Sequence, residues 1–435
     1  MAHHVSTEPS TIDHPHPGAR RAVALLLAIN LFNYIDRYIL AAVLPCIGAA
    51  MLAGDPAAEQ KKGWLATAFL MAYMFLSPVF GFMADRMSRW LLVGFGVILW
   101  SLASGASGLA EVYIVLLITR MFVGVGEAAY GPAAPTIIAD MYPVARRGQV
   151  LAWFYLAIPV GSALGYMFGG LFTTPGTDHW RWAFYLVVPP GILLGLICLF
   201  MPNPLRGAAD AVSGARKASF ADYRLLFKTP SYVLNCLGMA ALTFAIGGIS
   251  HWMPTYIYEF RFQKQGDLGR INFTFGLITV VTGITATLAG GYAGDFLRTR
   301  VRGAYFVVSS AGLFAAFPFF LCMLFVPFPW AWAFIFLAEF FLFFNTGPAN
   351  TALANVTHPA IRSTAFAVNI FFIHALGDAI SPPIIGALTD HFDGNMNVGF
   401  AAVGLMILAG GVFWAMGAKH LDRDTAAAPH QLPAG

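Results

Sequence analysis

Charge is scarce in this 435-residue chain: Asp, Glu, Lys and Arg together make up 11% of it. A water-soluble domain carries roughly 25%, so a chain this poor in charge cannot clothe a solvent-facing surface of ordinary size. Hydrophobic residues are 58% and mean hydropathy is +0.69, which makes lipid the compensating solvent. Cysteine is rarer still. Cys46, Cys198, Cys236 and Cys322 lie in apolar stretches with no close cysteine partner, which argues against a disulfide or zinc framework. A net charge of +4 with no dense basic run argues against a nucleic-acid partner. Residues 1–19 have no apolar core and are not a cleavable signal; His3, His4, His14 and His16 read as a disordered tail, with metal binding as the lesser alternative. Neither a nucleophile–base pair nor a metal-ligand cluster marks an enzyme.

Long apolar runs are plentiful. A bilayer core of about 30 Å takes roughly 20 apolar residues per helix. Spans are predicted at 22–50, 63–84, 90–110, 112–141, 149–172 and 182–201, then at 231–258, 270–294, 303–326, 329–357, 362–389 and 396–418. The chain divides into a tail (1–21), a six-helix unit (22–201), a polar linker (202–230), a second six-helix unit (231–418) and a final tail (419–435). With both termini cytoplasmic, 17 Lys and Arg fall on the cytoplasmic side and 6 on the other, while Arg37 and Arg120 stay inside spans. Positive residues favour the cytoplasmic side, so this orientation is expected. The fold class is all-α, twelve transmembrane helices in two pseudo-symmetric bundles.

The two units echo each other. Gly81-Phe-Met-Ala-Asp85-Arg86-Met-Ser-Arg89 follows the second span, and Gly291-Tyr-Ala-Gly-Asp295-Phe-Leu-Arg298 follows the eighth, 210 residues on. Arg147 and Arg362, each after a proline and before a new span, stand 215 apart. Parallel six-span repeats of this kind are the major facilitator arrangement. Gly81 is read as a close-approach point between helices, and Asp85, Arg86, Arg89 and Asp295 as a gate motif that latches one side. A charged turn that merely sets topology is the alternative.

Ionisable groups inside spans are costly and mark functional sites. Asp36 and Arg37 are neighbours on the first span and diverge by about 100°, so each needs its own partner on another helix. Arg120 and Glu127, close to two turns apart, share a face of the fourth span. Two acids and two bases can pair crosswise. Either they fix helix register, or Asp36 and Glu127 exchange protons while an arginine holds an anionic substrate group. In the second unit His374 and Asp378 form an i, i+4 pair, and Glu339 either lines the cavity or bonds Asn345 or backbone locally.

The segments NYIDR (33–37), SPVFGFMADRMSR (77–89), RMFVGVGEAAYGPAAPTIIAD (120–140) and GDAISPPIIGALTD (377–390) together resemble the spinster family of the major facilitator superfamily. The resemblance covers roughly 22–418. It implies a transporter of amphiphiles such as sphingosine-1-phosphate or lysophospholipids, driven by protons or facilitative, with Asp36, Arg37, Arg120, Glu127 and Asp378 as its polar residues. The short central loop and compact termini look bacterial, so the lipid specificity of eukaryotic members need not transfer. A charged first unit facing an aromatic second unit (Phe244, Trp252, Tyr256, Phe340, Phe341, Phe343, Phe344, Phe371 and Phe372) suits a polar head with an apolar tail. The expectation is alternating access by a monomer in the cell membrane, with a lipid-like substrate, no cofactor beyond a coupling proton and no metal. Small organic anions or drugs on the same fold, and a channel or scramblase, are the alternatives.

Overall fold

The computed structural model describes residues 17–84, 86–142, 144–174, 176–203, 224–358 and 361–428. The histidine-bearing tail, most of the polar linker and Asp85 lie outside the described residues. Among those described, twelve helices are long and apolar enough to cross a membrane. They are α1 (Ala19–Met51), α2 (Ala58–Ala84), α3 (Arg89–Leu109), α4 (Tyr113–Met141), α5 (Gln149–Gly170), α6 (Asp178–Leu199), α7 (Pro230–Arg261), α8 (Leu268–Leu297), α9 (Ala304–Phe325), α10 (Ala331–Asn355), α11 (Thr364–His391) and α12 (Met396–Ala427). A helix satisfies its own backbone N–H and C=O groups, for which lipid offers no partner. Each predicted span overlaps one of these helices.

The starts of the helices are written locally. Ser88 caps α3 by accepting the Leu91 N–H at 3.3 Å, Asp267 caps α8 by accepting that of Arg270 at 3.1 Å, and Pro230 opens α7. The C-terminal tail predicted from 419 begins instead as helix. α12 runs on to Ala427 because Asp424 accepts from the Ser231 N–H at 3.0 Å and the Ser231 hydroxyl at 2.8 Å, capping α7 from a distance.

α1–α6 pack mainly with one another, as do α7–α12, and the two main seams between the groups are α2 with α11 and α5 with α8. The repeat exchanges these seams. With an even number of spans both termini share one side, here called the terminal side. At the opposite, far end of the α2–α11 seam, a Cβ on Gly386 would sit 2.4 Å from the Glu59 carbonyl oxygen, and one on Gly63 2.5 Å from the Pro382 backbone. Toward the termini the seam loosens: the Thr67 hydroxyl donates to the Ala379 carbonyl at 2.6 Å, then the Tyr73 and His374 rings stand 6.1 Å apart. Beyond them Phe75, Val79 and Phe82 are more than half exposed. The far end is sealed.

Candidate functional site

Small residues bring the charged helices together. Gly161, Gly165 and Gly169 of α5 pack on α1, where a Cβ on Gly165 would stand 2.7 Å from the Ile35 carbonyl oxygen. Gly124 of α4 approaches α2 so closely that a Cβ would sit 2.2 Å from the Phe69 carbonyl oxygen. α1 and α4 can therefore face each other with both of their ion pairs inside the first group.

The four charges meet crosswise. The Arg37 guanidinium reaches Glu127 Oε2 through Nη2 at 2.6 Å and Nε at 2.7 Å, so both of its nitrogens converge on one oxygen. Arg120 Nη1 stands 3.8 Å from Asp36 Oδ2, too long for a hydrogen bond, while Asp36 Oδ1 takes the Ser104 hydroxyl from α3. Arg120 is 1% exposed, and its Nε and Nη1 have no hydrogen-bond acceptor; Asp36 Oδ2 and Glu127 Oε1 have no donor. One pair is closed and the other loose. The Phe69 ring lies under both cations, 4.7 Å from the Arg37 guanidinium carbon and 5.9 Å from that of Arg120.

A cavity of about 110 Å³ lies between the groups. Arg37, Arg120, Tyr38 and Phe69 line it from one side, and Ser250, His251 and Asp378 from the other. Asp36 and Glu127 do not line it. They stand behind the arginines and set them.

The second group supplies Asp378 through a broken helix. Residues 374–378 of α11 form a π turn in which Gly377 leaves helical geometry (φ −110°, ψ −108°). Turns of this kind gather at functional sites. His374 Nδ1 lies 2.9 Å from Asp378 Oδ1, and Gly247 of α7 lets α11 come close enough that a Cβ there would sit 2.5 Å from Asp378 Cβ. Glu339 is elsewhere. It does not line the cavity and does not bond Asn345, whose amide donates to the Phe341 and Leu342 carbonyls. The threonines of α8 reach it first, Thr279 at 3.4 Å and Thr282 at 3.3 Å.

Two other expectations change. Of the nine second-unit aromatics, none lines this cavity: Phe244, Trp252 and Tyr256 are core residues, and its aromatic surface comes from Tyr38 and Phe69 of the first group. Gly81 and Gly291 are not close-approach points, since a Cβ on Gly81 would meet only Pro132 Cβ at 3.7 Å and one on Gly291 nothing within 4 Å. Within the gate motif Arg89 pairs with Asp140, Arg86 bonds the Phe82 carbonyl and lies on the Phe82 ring, and Asp295 accepts the Tyr305 hydroxyl at 2.8 Å. Each of these contacts lies within one group.

The far-side seal was not foreseen from the sequence, where Lys61 and Lys62 fall in a predicted loop. Lys62 is 1% exposed; its ammonium lies 2.6 Å from Glu59 and 3.2 Å from Glu259 of the other group. The Glu59 and Gln60 N–H groups donate to Asp390 at 3.1 and 2.8 Å, and Trp252 Nε1 donates to the Pro382 carbonyl at 3.0 Å. His251 Nε2 meets the Lys62 carbonyl at 3.2 Å. A glutamate three residues before a lysine at the start of an apolar run was the available signal.

A cavity between two six-helix bundles, closed at one end and walled by two arginines of a paired-charge cage in the first bundle, fits a membrane transporter. Residues 26–382 match the model of the Major Facilitator Superfamily. The chain is 36% identical over 409 residues to spinster homolog 3 of Danio rerio, covering 89% of this chain and 80% of that protein. It is 33% identical over 437 residues to a protein named as a sphingosine-1-phosphate transporter of Danio rerio (93% of this chain, 86% of that one). A bacterial homologue of the human lysosomal transporter spinster, crystallised inward-facing and unoccupied, superposes with a TM-score of 0.77 at 20% identity, covering 96% of this chain and 99% of that one. The chain belongs to the spinster family of major facilitator transporters. It is a multi-pass membrane protein whose relatives are named as transporters, not enzymes.

Proposed function

We propose that this transporter moves an amphiphilic, lipid-like anion of the lysophospholipid or sphingosine-1-phosphate class by alternating access, coupled to protons at Asp36 and Glu127. The observation that carries the reading is Arg120, buried in the cavity wall with two unfilled N–H donors beside Arg37. An anionic head entering there competes with the carboxylates for the arginines. A carboxylate that loses its arginine inside a low-dielectric bundle takes up a proton. Substrate and proton then load on opposite faces of the same guanidinium pair. The sphingosine-1-phosphate relative supports the substrate class. The excess of Lys and Arg on the terminal side supports cytoplasmic termini, and the sealed far end then corresponds to a state facing the cytoplasm.

The cavity itself favours a second reading. At about 110 Å³ it is smaller than the roughly 300 Å³ at the lower end for drug-sized ligands. It holds a head group and not a whole lipid, so a small organic anion fits it equally. Counterflow in proteoliposomes separates the two: lysolipids are expected to compete for uptake and short-chain carboxylates are not. Asp36→Asn and Glu127→Gln should abolish the pH dependence of uptake. Wild-type pH dependence in both variants would end the coupling role.

A further inference from the structure

We infer that Glu339 is a second proton site, carried by the second group and held as a neutral acid in this conformation; the inference rests on the transporter reading above. Three observations converge on it. Glu339 lies 212 residues after Glu127, inside the 210–215 offset that relates the repeated loops, so the repeat places it as the counterpart of the acid behind Arg37. The position of Arg37 has no basic counterpart: the same offset falls on residues 247–252, Gly-Gly-Ile-Ser-His-Trp, and His251 is engaged at the seal. Glu339 is nonetheless 4% exposed.

The hydroxyl distances favour a proton on the acid. Thr282 has a single O–H, and the Ile278 carbonyl takes it at 2.8 Å, much closer than Glu339 Oε2 at 3.3 Å. Thr282 therefore turns a lone pair toward the carboxyl group. Only a protonated Glu339 can donate into that lone pair. An ionised one would have the Thr279 hydroxyl alone, at 3.4 Å, and a buried carboxylate so poorly held is prohibitively costly. No charged side chain compensates from the packed neighbours. α8 carries Arg270 and Asp295 only near its ends, and α9 offers only Tyr305, occupied by Asp295, and Cys322. On α7, Glu259 is held by Lys62 and Arg261 by the α9 carbonyls, and Tyr232 donates to Ala365. Across the α5–α8 seam the titratable neighbour is Tyr166, whose hydroxyl is donated to the Ser250 carbonyl at 2.5 Å. A shift of α10 against α8 breaks the threonine contacts, and water that reaches the acid then lets it ionise.

Infrared difference spectroscopy of the purified protein between acidic and alkaline pH reads the proton directly, without any substrate. The expected result is a carboxylic-acid C=O band present at neutral pH in the wild type, absent in Glu339→Gln, and shifted to higher frequency in Thr282→Val, which keeps the side-chain shape but removes the lone pair. A neutral-pH band unchanged by Glu339→Gln means Glu339 is ionised and overturns the inference. In proteoliposomes with a pH gradient of one unit, loss of one coupled proton lowers maximal accumulation by about tenfold, and Glu339→Gln should do so while slowing substrate exchange far less. Unchanged accumulation in a variant that has lost the band overturns the coupling role. Absence of exchange in the wild type itself would count against the proposed substrate and not against the proton site, which the carbonyl band alone decides.

Discussion

In the first bundle Asp36 and Glu127 are each set against an arginine, one loosely and one at 2.6 Å; in the second, Glu339 is set against two threonines and Asp378 against a histidine. One bundle sets cations against its acids. The other sets hydroxyls against one of its acids, the one inferred above to be neutral. The same helix positions thus hold their acids in two ways, and the first bundle is the one that turns two arginines toward the cavity. The difference also separates what a substitution costs. An arginine removed strands a buried carboxyl group, whereas, on the inference above, a threonine removed leaves a neutral acid.

Arg120→Ala should give the largest effect. It strands Asp36, wholly buried, with only Ser104 for support, and breaking such a pair costs about 3–5 kcal/mol. Thermal melting in detergent should fall steeply and recover much of its loss when Asp36→Asn is added; a wild-type melt for Arg120→Ala would show that the loose pair does not hold the bundle. A smaller effect is expected at the seam between the bundles. Gly63→Val drives a side chain into the Pro382 backbone, and overpacking of this kind costs typically about 1–3 kcal/mol. With the native cysteines replaced, a probe at Thr67→Cys should become reactive to membrane-impermeant thiol reagents from the far side in Gly63→Val and stay protected without it. Equal protection in both would mean the seal lies elsewhere. The smallest effect belongs to the second bundle: His374→Ala removes one hydrogen bond to Asp378, worth about 0.5–1.5 kcal/mol. Its melt should move little, and a loss as large as that of Arg120→Ala would erase the contrast between the bundles.

The helices and the first-bundle cage were legible for one reason: an ionisable residue inside an apolar run stands out. Adjacent acid and base at 36–37, facing an arginine and a glutamate two turns apart on one helix, leave few ways to pair. What stayed hidden depended on neutral partners or on great separation along the chain. Threonine is ordinary in such helices, so nothing marked Thr279 and Thr282 as the cradle of Glu339, and Asn345 was nearer in sequence. Phenylalanine, at 39 residues, is too common to sort into lipid-facing, core and cavity positions, and the aromatic wall assigned to the second bundle dissolved for that reason. Lys62 sat next to Lys61 and read as a loop cation; its partner Glu259 and the neighbouring Asp390 lie roughly 200 to 330 residues away.

The far-side seal has a polarity of its own. Its lysine and the first N–H groups of α2 belong to one bundle, while Glu259 and Asp390 belong to the other. Parting the bundles therefore also separates charge. One lip of the opened mouth keeps Lys62 and a bare helix start, softened only by Glu59, and the other lip carries away two carboxylates. A negatively charged molecule arriving from that side would find an attractive bank and a repulsive one, with Arg37 and Arg120 further down the attractive bank. The mouth would orient its visitor before the cage had touched it.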